Sequence, residues 1–231
     1  MIFAANFKTN HTRTSTKEYI EVLERVAQEC DNPLYIFPPL TALDRFETSK
    51  LVIGAQNAYP TQNGAFTGEV GVEQLAEFDI ETILIGHSER REILGESQEE
   101  VAKKFAFFKE QGFEIIYCIG EPLEVRQQGE NALKEYLLAQ FDGIDLSYEK
   151  LIVAYEPIWA IGTGVSASRE DIASTHQILK KVVTSPLLYG GSAKVANIKE
   201  IASIDEVDGV LVGSASLDAR GFFEMIQASK A

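Results

Sequence analysis

The chain has 231 residues, 45% of them apolar, and a formal charge of −14. That length and apolar share can bury one sizeable core. The acidic balance argues against nucleic acid and anionic membrane surfaces as partners, but not against an anionic substrate, because distant charge is screened within about 8–10 Å. The two cysteines, Cys30 and Cys118, lie far apart and outside any C-x-x-C pattern, which suits a reducing cytosol and gives no metal cluster. The opening MIFAANFKTN is apolar but short, without a basic lead-in or a small-residue cleavage site, and no apolar run approaches the roughly 18 residues of a membrane helix. A soluble, cytoplasmic protein is expected.

Strand-like and helix-like segments then alternate. Ile2–Asn6 reads as a strand, and Ser15–Glu18 has capping-box spacing ahead of Tyr19, Ile20, Leu23 and Val26 at helical intervals. Leu34–Phe37 is a second strand closed by Pro38-Pro39, with a short helix expected from Thr41 to Phe46. Leu51–Ala55 is a third, running into a polar stretch, Gln56–Gly71, too long for a routine connection. Thr82–Ile85 is the fourth. Ser97–Glu100 caps a helix through Val101, Phe105 and Phe108 that stops at Gly112. Glu114–Cys118 is the fifth strand, with a helix around Ala132–Phe141 after it. Leu151–Tyr155 is the sixth, and Ser168–Asp171 caps the next helix. Leu187–Tyr189 and Val210–Val212 complete eight strands, with helices near Ile198 and from Ser216 to Ala228.

Most of these strands are continuous apolar runs, as in parallel strands covered on both faces. No linker or low-complexity stretch marks a boundary. The pattern predicts an α/β chain forming one (β/α)8 barrel domain over residues 1–231. The lack of G-x-G-x-x-G after the first strand agrees.

In such a barrel chemistry sits at the carboxyl ends of the strands. There the sequence places Asn6 and Lys8, His87 to Arg91, Gly120-Glu121-Pro122, Glu156 followed by Pro157, Gly190-Gly191-Ser192, and Gly213-Ser214. Singly each is ordinary: Lys8 as a surface amine, His87 as a structural histidine, Gly-Gly-Ser as a turn. Together they bring a cation, an imidazole and a carboxylate to one mouth. Glycine turns after the seventh and eighth strands suit phosphate, since backbone amides approach an anion there and a helix N-terminus adds about half a positive charge.

Across essentially the whole chain these stretches resemble the triosephosphate isomerase family. The matches are Asn6-Phe7-Lys8, Gln56-Asn57, Gly64–Glu69, Gly86–Arg91, Ala154–Gly164, Tyr189–Ser192 and Leu211–Gly213. The resemblance implies a TIM barrel that interconverts dihydroxyacetone phosphate and glyceraldehyde 3-phosphate through an enediol(ate), in glycolysis and gluconeogenesis, with no metal or organic cofactor. By the same resemblance Glu156 is the general base, His87 the electrophile, and Lys8, helped by Asn6 and Glu89, holds the substrate. Gly162, Ser192, Gly213 and Ser214 offer amides to the phosphate once the loop 157–164 has closed. The Gln56–Gly71 loop projects into a second subunit with Thr67 near its Asn6, which implies a homodimer.

His87 also precedes a plausible helix start, which disfavours imidazolium, and Phe66 would be an awkward exposed patch on a monomer. Two departures stand out. Ser214 replaces a family glycine, and the stretch between Glu156 and Tyr189 is short for the family. Two rival readings exist: an aldolase with a Schiff base on Lys8, and a triose phosphate sensor without turnover. The polar setting of Lys8 opposes the first, and the presence of both Glu156 and His87 opposes the second.

Overall fold

The structure, a computed structural model, describes residues 1–161 and 166–230. Eight parallel strands are β1 (Ile2–Asn6), β2 (Leu34–Phe37), β3 (Leu51–Ile53), β4 (Thr82–Ile85), β5 (Glu114–Ile119), β6 (Leu151–Tyr155), β7 (Leu187–Tyr189) and β8 (Gly209–Val212). Their order is β3-β2-β1-β8-β7-β6-β5-β4. The two ends meet at one bridge, Ala55 with Ile83, where the Ala55 N–H donates to Thr82 O at 2.9 Å. The result is a TIM barrel.

Around it lie α1 (Arg13–Val26), α2 (Val72–Ala76), α3 (Ser88–Glu92), α4 (Gln98–Glu110), α5 (Leu123–Arg126), α6 (Glu130–Ala139), α7 (Arg169–Lys180), α8 (Ile198–Ala202) and α9 (Ala219–Ala228). Strand side chains alternate between two buried layers. Ala4, Tyr35, Phe37, Leu84, Ile116, Cys118, Ile152, Ala154, Leu188 and Leu211 fill the barrel interior. Their neighbours, such as Phe3, Ile36, Tyr117 and Val153, pack outward in the larger core that includes Leu23, Phe105 and Phe222 of the helices. The two-residue period then aims the site: Asn6 follows Ala4 and Glu156 follows Ala154 on the inward face.

The expected capping boxes at Ser97 and Ser168 are present, with Ser97 Oγ accepting the Glu100 amide and Ser168 Oγ the Asp171 amide. Elsewhere the boundaries change. The first helix begins at Arg13 with Thr12 as its cap, and Ser15, expected as the cap, is the third helical residue whose hydroxyl accepts the Thr12 N–H at 2.9 Å. The helix expected over Thr41–Phe46 is only a 3-10 turn at Leu40–Ala42. Leu43 is already extended, and Asp44 is drawn to Arg13 at 2.6 Å. α9 starts at Ala219 because a separate 3-10 turn, Ser214–Ser216, precedes its Asp218 cap. The short α2 and α5 add to the expected helices.

Candidate active site

The loop after β1 is built by side chains. Lys8 adopts a left-handed φ of 52°, which costs a non-glycine residue about 1–2 kcal/mol unless its surroundings fix it. They do: Asn6 Oδ1 accepts the Lys8 N–H at 3.0 Å, and Gln56 Nε2 donates to Lys8 O at 2.8 Å and Phe37 O at 2.9 Å. Lys8 Nζ lies 2.5 Å from Glu89 Oε1, so the carboxylate of α3 orients the cation across the mouth.

His87 caps α3. The Glu89 N–H donates to His87 Nδ1 at 3.2 Å, which requires a lone pair on that nitrogen. That bond assigns the proton of the neutral ring to Nε2, which faces Glu156 Oε1 at 3.0 Å. Burial opposes charge on this ring, while Glu156 and Glu89 pull its pKa above the ordinary histidine value. The Glu89 amide resists that pull.

Glu156 is 2% exposed. Both carboxylate oxygens have donors, His87 on one and the Ser88 N–H at 2.9 Å on the other. Burial pushes its carboxyl up, but His87, the Ser88 amide and Lys8 outweigh it and hold the pKa below the ordinary value. The group stays a carboxylate although it is buried.

A cavity of about 270 Å³ joins Asn6, Lys8, His87 and Glu156 to Gly190–Lys194 and Gly213–Ala215. Gly190 is there for space: a Cβ on it would stand 2.8 Å from Glu156 Cγ. At Gly213 the nearest atom, Lys8 Cε, would be 3.3 Å away, a contact a flexible side chain can relieve. Ser214 opens the 3-10 turn and avoids positive φ, so its Cβ is accommodated. Ser192 Oγ donates to Ala160 O at 2.8 Å, tying the turn after β7 to the segment after β6. Gly162 lies outside the described residues, as do positions 163–165.

Thr67 is exposed and away from this cavity. Beside the site a recess of about 430 Å³ is lined by residues including Lys8, Thr9, Leu40, Asn57, Arg90 and Leu94.

Glu121 stands just past the end of β5. It is fully buried and accepts from Tyr155 Oη and Trp159 Nε1, each at 3.0 Å, and from Arg126 at 3.2 Å. Burial is the largest influence on it and keeps its carboxyl above the ordinary range, against the donors. Its signal was the Glu-Pro pair, repeated in Glu156-Pro157. Among the described residues no group of three or more His, Cys, Asp or Glu is placed to hold a metal, and no helix is long and apolar enough to cross a membrane.

The family model described as triosephosphate isomerase matches residues 1–229. The chain is 64% identical over 230 residues to the triosephosphate isomerase of a Sulfurovum species, covering 99% of this chain and 100% of that protein. It is 59% identical over 230 residues to that of Wolinella succinogenes, covering 98% and 99%. The figure for a Nitratiruptor species is 55% over 230 residues, covering 100% and 99%.

Proposed function

The chain belongs to the triosephosphate isomerase family, and on that premise we propose how its residues divide the reaction. Glu156 takes a proton from the carbon beside the carbonyl of dihydroxyacetone phosphate. The C–H electron pair becomes part of a carbon–carbon double bond, and the carbonyl oxygen takes up negative charge. His87 presents its Nε2–H to that oxygen, and Lys8, set by Asn6 and Glu89, balances the charge. The proton of the C1 hydroxyl passes to the former carbonyl oxygen, and return of the carbon-derived proton to C2 draws the double-bond electrons there while the C1 oxygen re-forms a carbonyl, giving glyceraldehyde 3-phosphate. A neutral histidine working beside a glutamate base is the known pattern of this family, and the Nδ1 contact in this chain agrees with it.

The amides of Ser192, Gly213 and Ser214 receive the phosphate in this reading, and residues 157–164 cover it, with Gly162 contributing an amide. The observation that carries the proposal is the 3.0 Å contact between His87 Nε2 and Glu156 Oε1 beside Lys8 in one cavity. To act, Glu156 must exchange His87 or Ser88 for the substrate. A coupled nicotinamide assay on glyceraldehyde 3-phosphate and on unphosphorylated glyceraldehyde tests it: turnover is expected only with the phosphate ester. Lys8 is held by Glu89 at 2.5 Å, a polar and paired setting unlike the desolvated pocket of a Schiff-base lysine.

We further propose one catalytic domain over residues 1–231, working as a cytoplasmic homodimer with no nucleic-acid or membrane partner. Phe66 at the tip of the Gln56–Gly71 loop is 43% exposed, and Ile93 and Leu94 are 75% and 66% exposed. Leu94 lines the recess beside Lys8. A second copy's loop, with Thr67 reaching towards Asn6, would cover these apolar groups.

A further inference from the structure

Behind the site, on the side of Glu156 away from Lys8, a chain of polar side chains links β4, β5 and α6. Arg91 Nε donates to Gly86 O at 2.8 Å, and its NH1 group donates to Gln98 Oε1 at 2.8 Å. Gln98 Nε2 donates to two carbonyls at and just past the end of α6, that of the C-cap Gln140 at 2.9 Å and that of Asp142 at 2.8 Å. Tyr117 Oη donates to Gln140 O as well. These bonds satisfy carbonyls that a helix end leaves without partners, and they fix the place of Gln140.

The side chain of Gln140 then grips one peptide residue from both sides. Its Oε1 accepts the Gly120 N–H at 3.1 Å, and its Nε2 donates to Gly120 O at 2.8 Å. The two contacts also set the orientation of the amide, since a flipped group would face donor to donor and acceptor to acceptor. Gly120 in turn touches the backbone of Glu156. A Cβ on Gly120 would fall 1.9 Å from Glu156 O and 3.2 Å from Glu156 Cβ. The Glu156 N–H donates to Ile119 O at 2.7 Å, one residue before Gly120. Where the Gly120 peptide sits therefore limits where Glu156 leaves its strand.

We propose that Gln140 is a positioning residue for Glu156, acting through the Gly120 peptide. The proposal rests on the reading of Glu156 as the base. Gln140 touches no reacting atom. It holds the wall against which the carboxylate-bearing residue is set, and the same network anchors Gly86, the residue before His87. Base and electrophile are thus tied from behind by one connected set of bonds.

The test is steady-state kinetics on glyceraldehyde 3-phosphate for wild type, Q140M, Q140E and E156Q, with inorganic phosphate as a competitive probe of the anion site. Q140M keeps side-chain length and loses both bonds. Q140E keeps the acceptor but sets an oxygen against the Gly120 carbonyl. Both are expected to lower kcat by roughly tenfold, since small displacements of a catalytic group carry losses of that order or more. The phosphate inhibition constant should stay within about twofold, as neither Gln140 nor Gly120 lines the cavity that Ser192, Gly213 and Ser214 border. In an E156Q background, Q140M should add no further loss, because no base remains to be positioned. Wild-type kcat in both variants, whatever their melting temperature, overturns the proposal, as does a loss of kcat matched by an equal loss of phosphate affinity. Wild-type turnover by E156Q would remove the reading of the base itself. With E156Q inactive, full activity of the Gln140 variants removes only the positioning role.

Discussion

Nε2 of His87 stands 3.0 Å from Oε1 of Glu156, so one hydrogen bond joins the two side chains at the centre of the proposed chemistry. Because Nδ1 accepts the Glu89 amide, the shared proton belongs to Nε2 and is available to an oxygen that replaces Oε1. Replacing that donor has a size. His87→Gln offers an amide donor in poorer alignment, and we expect kcat to fall by about 10²–10³-fold with a much smaller change in KM. Steady-state kinetics of the variant check this.

Gly190 and Gly213 both border the cavity, yet they should respond differently to alanine. The added methyl at Gly190 meets Glu156 Cγ at 2.8 Å, in a site where Glu156 has no slack. At Gly213 it meets only Lys8 Cε at 3.3 Å. Gly190→Ala should lower kcat by roughly 10²-fold, whereas Gly213→Ala should stay within about tenfold. Equal losses in the two variants would contradict this account of the cavity.

The site was legible largely because strand ends carry it. Ile152, Ala154 and Glu156 continue one inward face, and the proline after Glu156 marks where the strand stops. The helix expected over Thr41–Phe46 does not form, for a physical reason. Leu40, Leu43 and Phe46 fall at helical spacing, but the pull of Arg13 on Asp44 and the extended backbone of Leu43 end the turn at Ala42. α2 and α5, at 5 and 4 residues, are too short for periodicity to register. Gln140 left no signal in the sequence, because its partner Gly120 is 20 positions away and met only through the fold.

His176 in α7 is fully buried between Tyr155 and Tyr189, with ring centroids at 5.7 and 6.5 Å, and shares a hydrogen bond with Glu206 O at 3.1 Å. Burial brings its pKa from 6.5 down to about 4. The unfolded chain therefore binds this proton more tightly. This group thus costs no stability above pH 6.5, and the loss grows as the pH falls towards 4, to about 3 kcal/mol across that window. Denaturant unfolding of wild type and His176→Gln between pH 7 and 4 checks this: the variant should show the shallower slope.

The dimer reading makes Phe66 and Leu94 interface residues. Phe66→Asp combined with Leu94→Asp should shift the protein to the monomer in light scattering at micromolar concentration, since two charges would be desolvated in the interface. Activity should fall with the dimer fraction, as Thr67 is withdrawn from the partner's site. A double variant that stays dimeric would place the interface elsewhere.

The most direct test of the central claim is the turnover of Glu156→Gln on glyceraldehyde 3-phosphate beside wild type. The amide keeps the shape of the side chain and removes its basicity. We predict a loss in kcat of roughly 10²-fold or more, with substrate still bound. A variant that turns over within tenfold of wild type would contradict the assignment of Glu156 as the group that moves the proton.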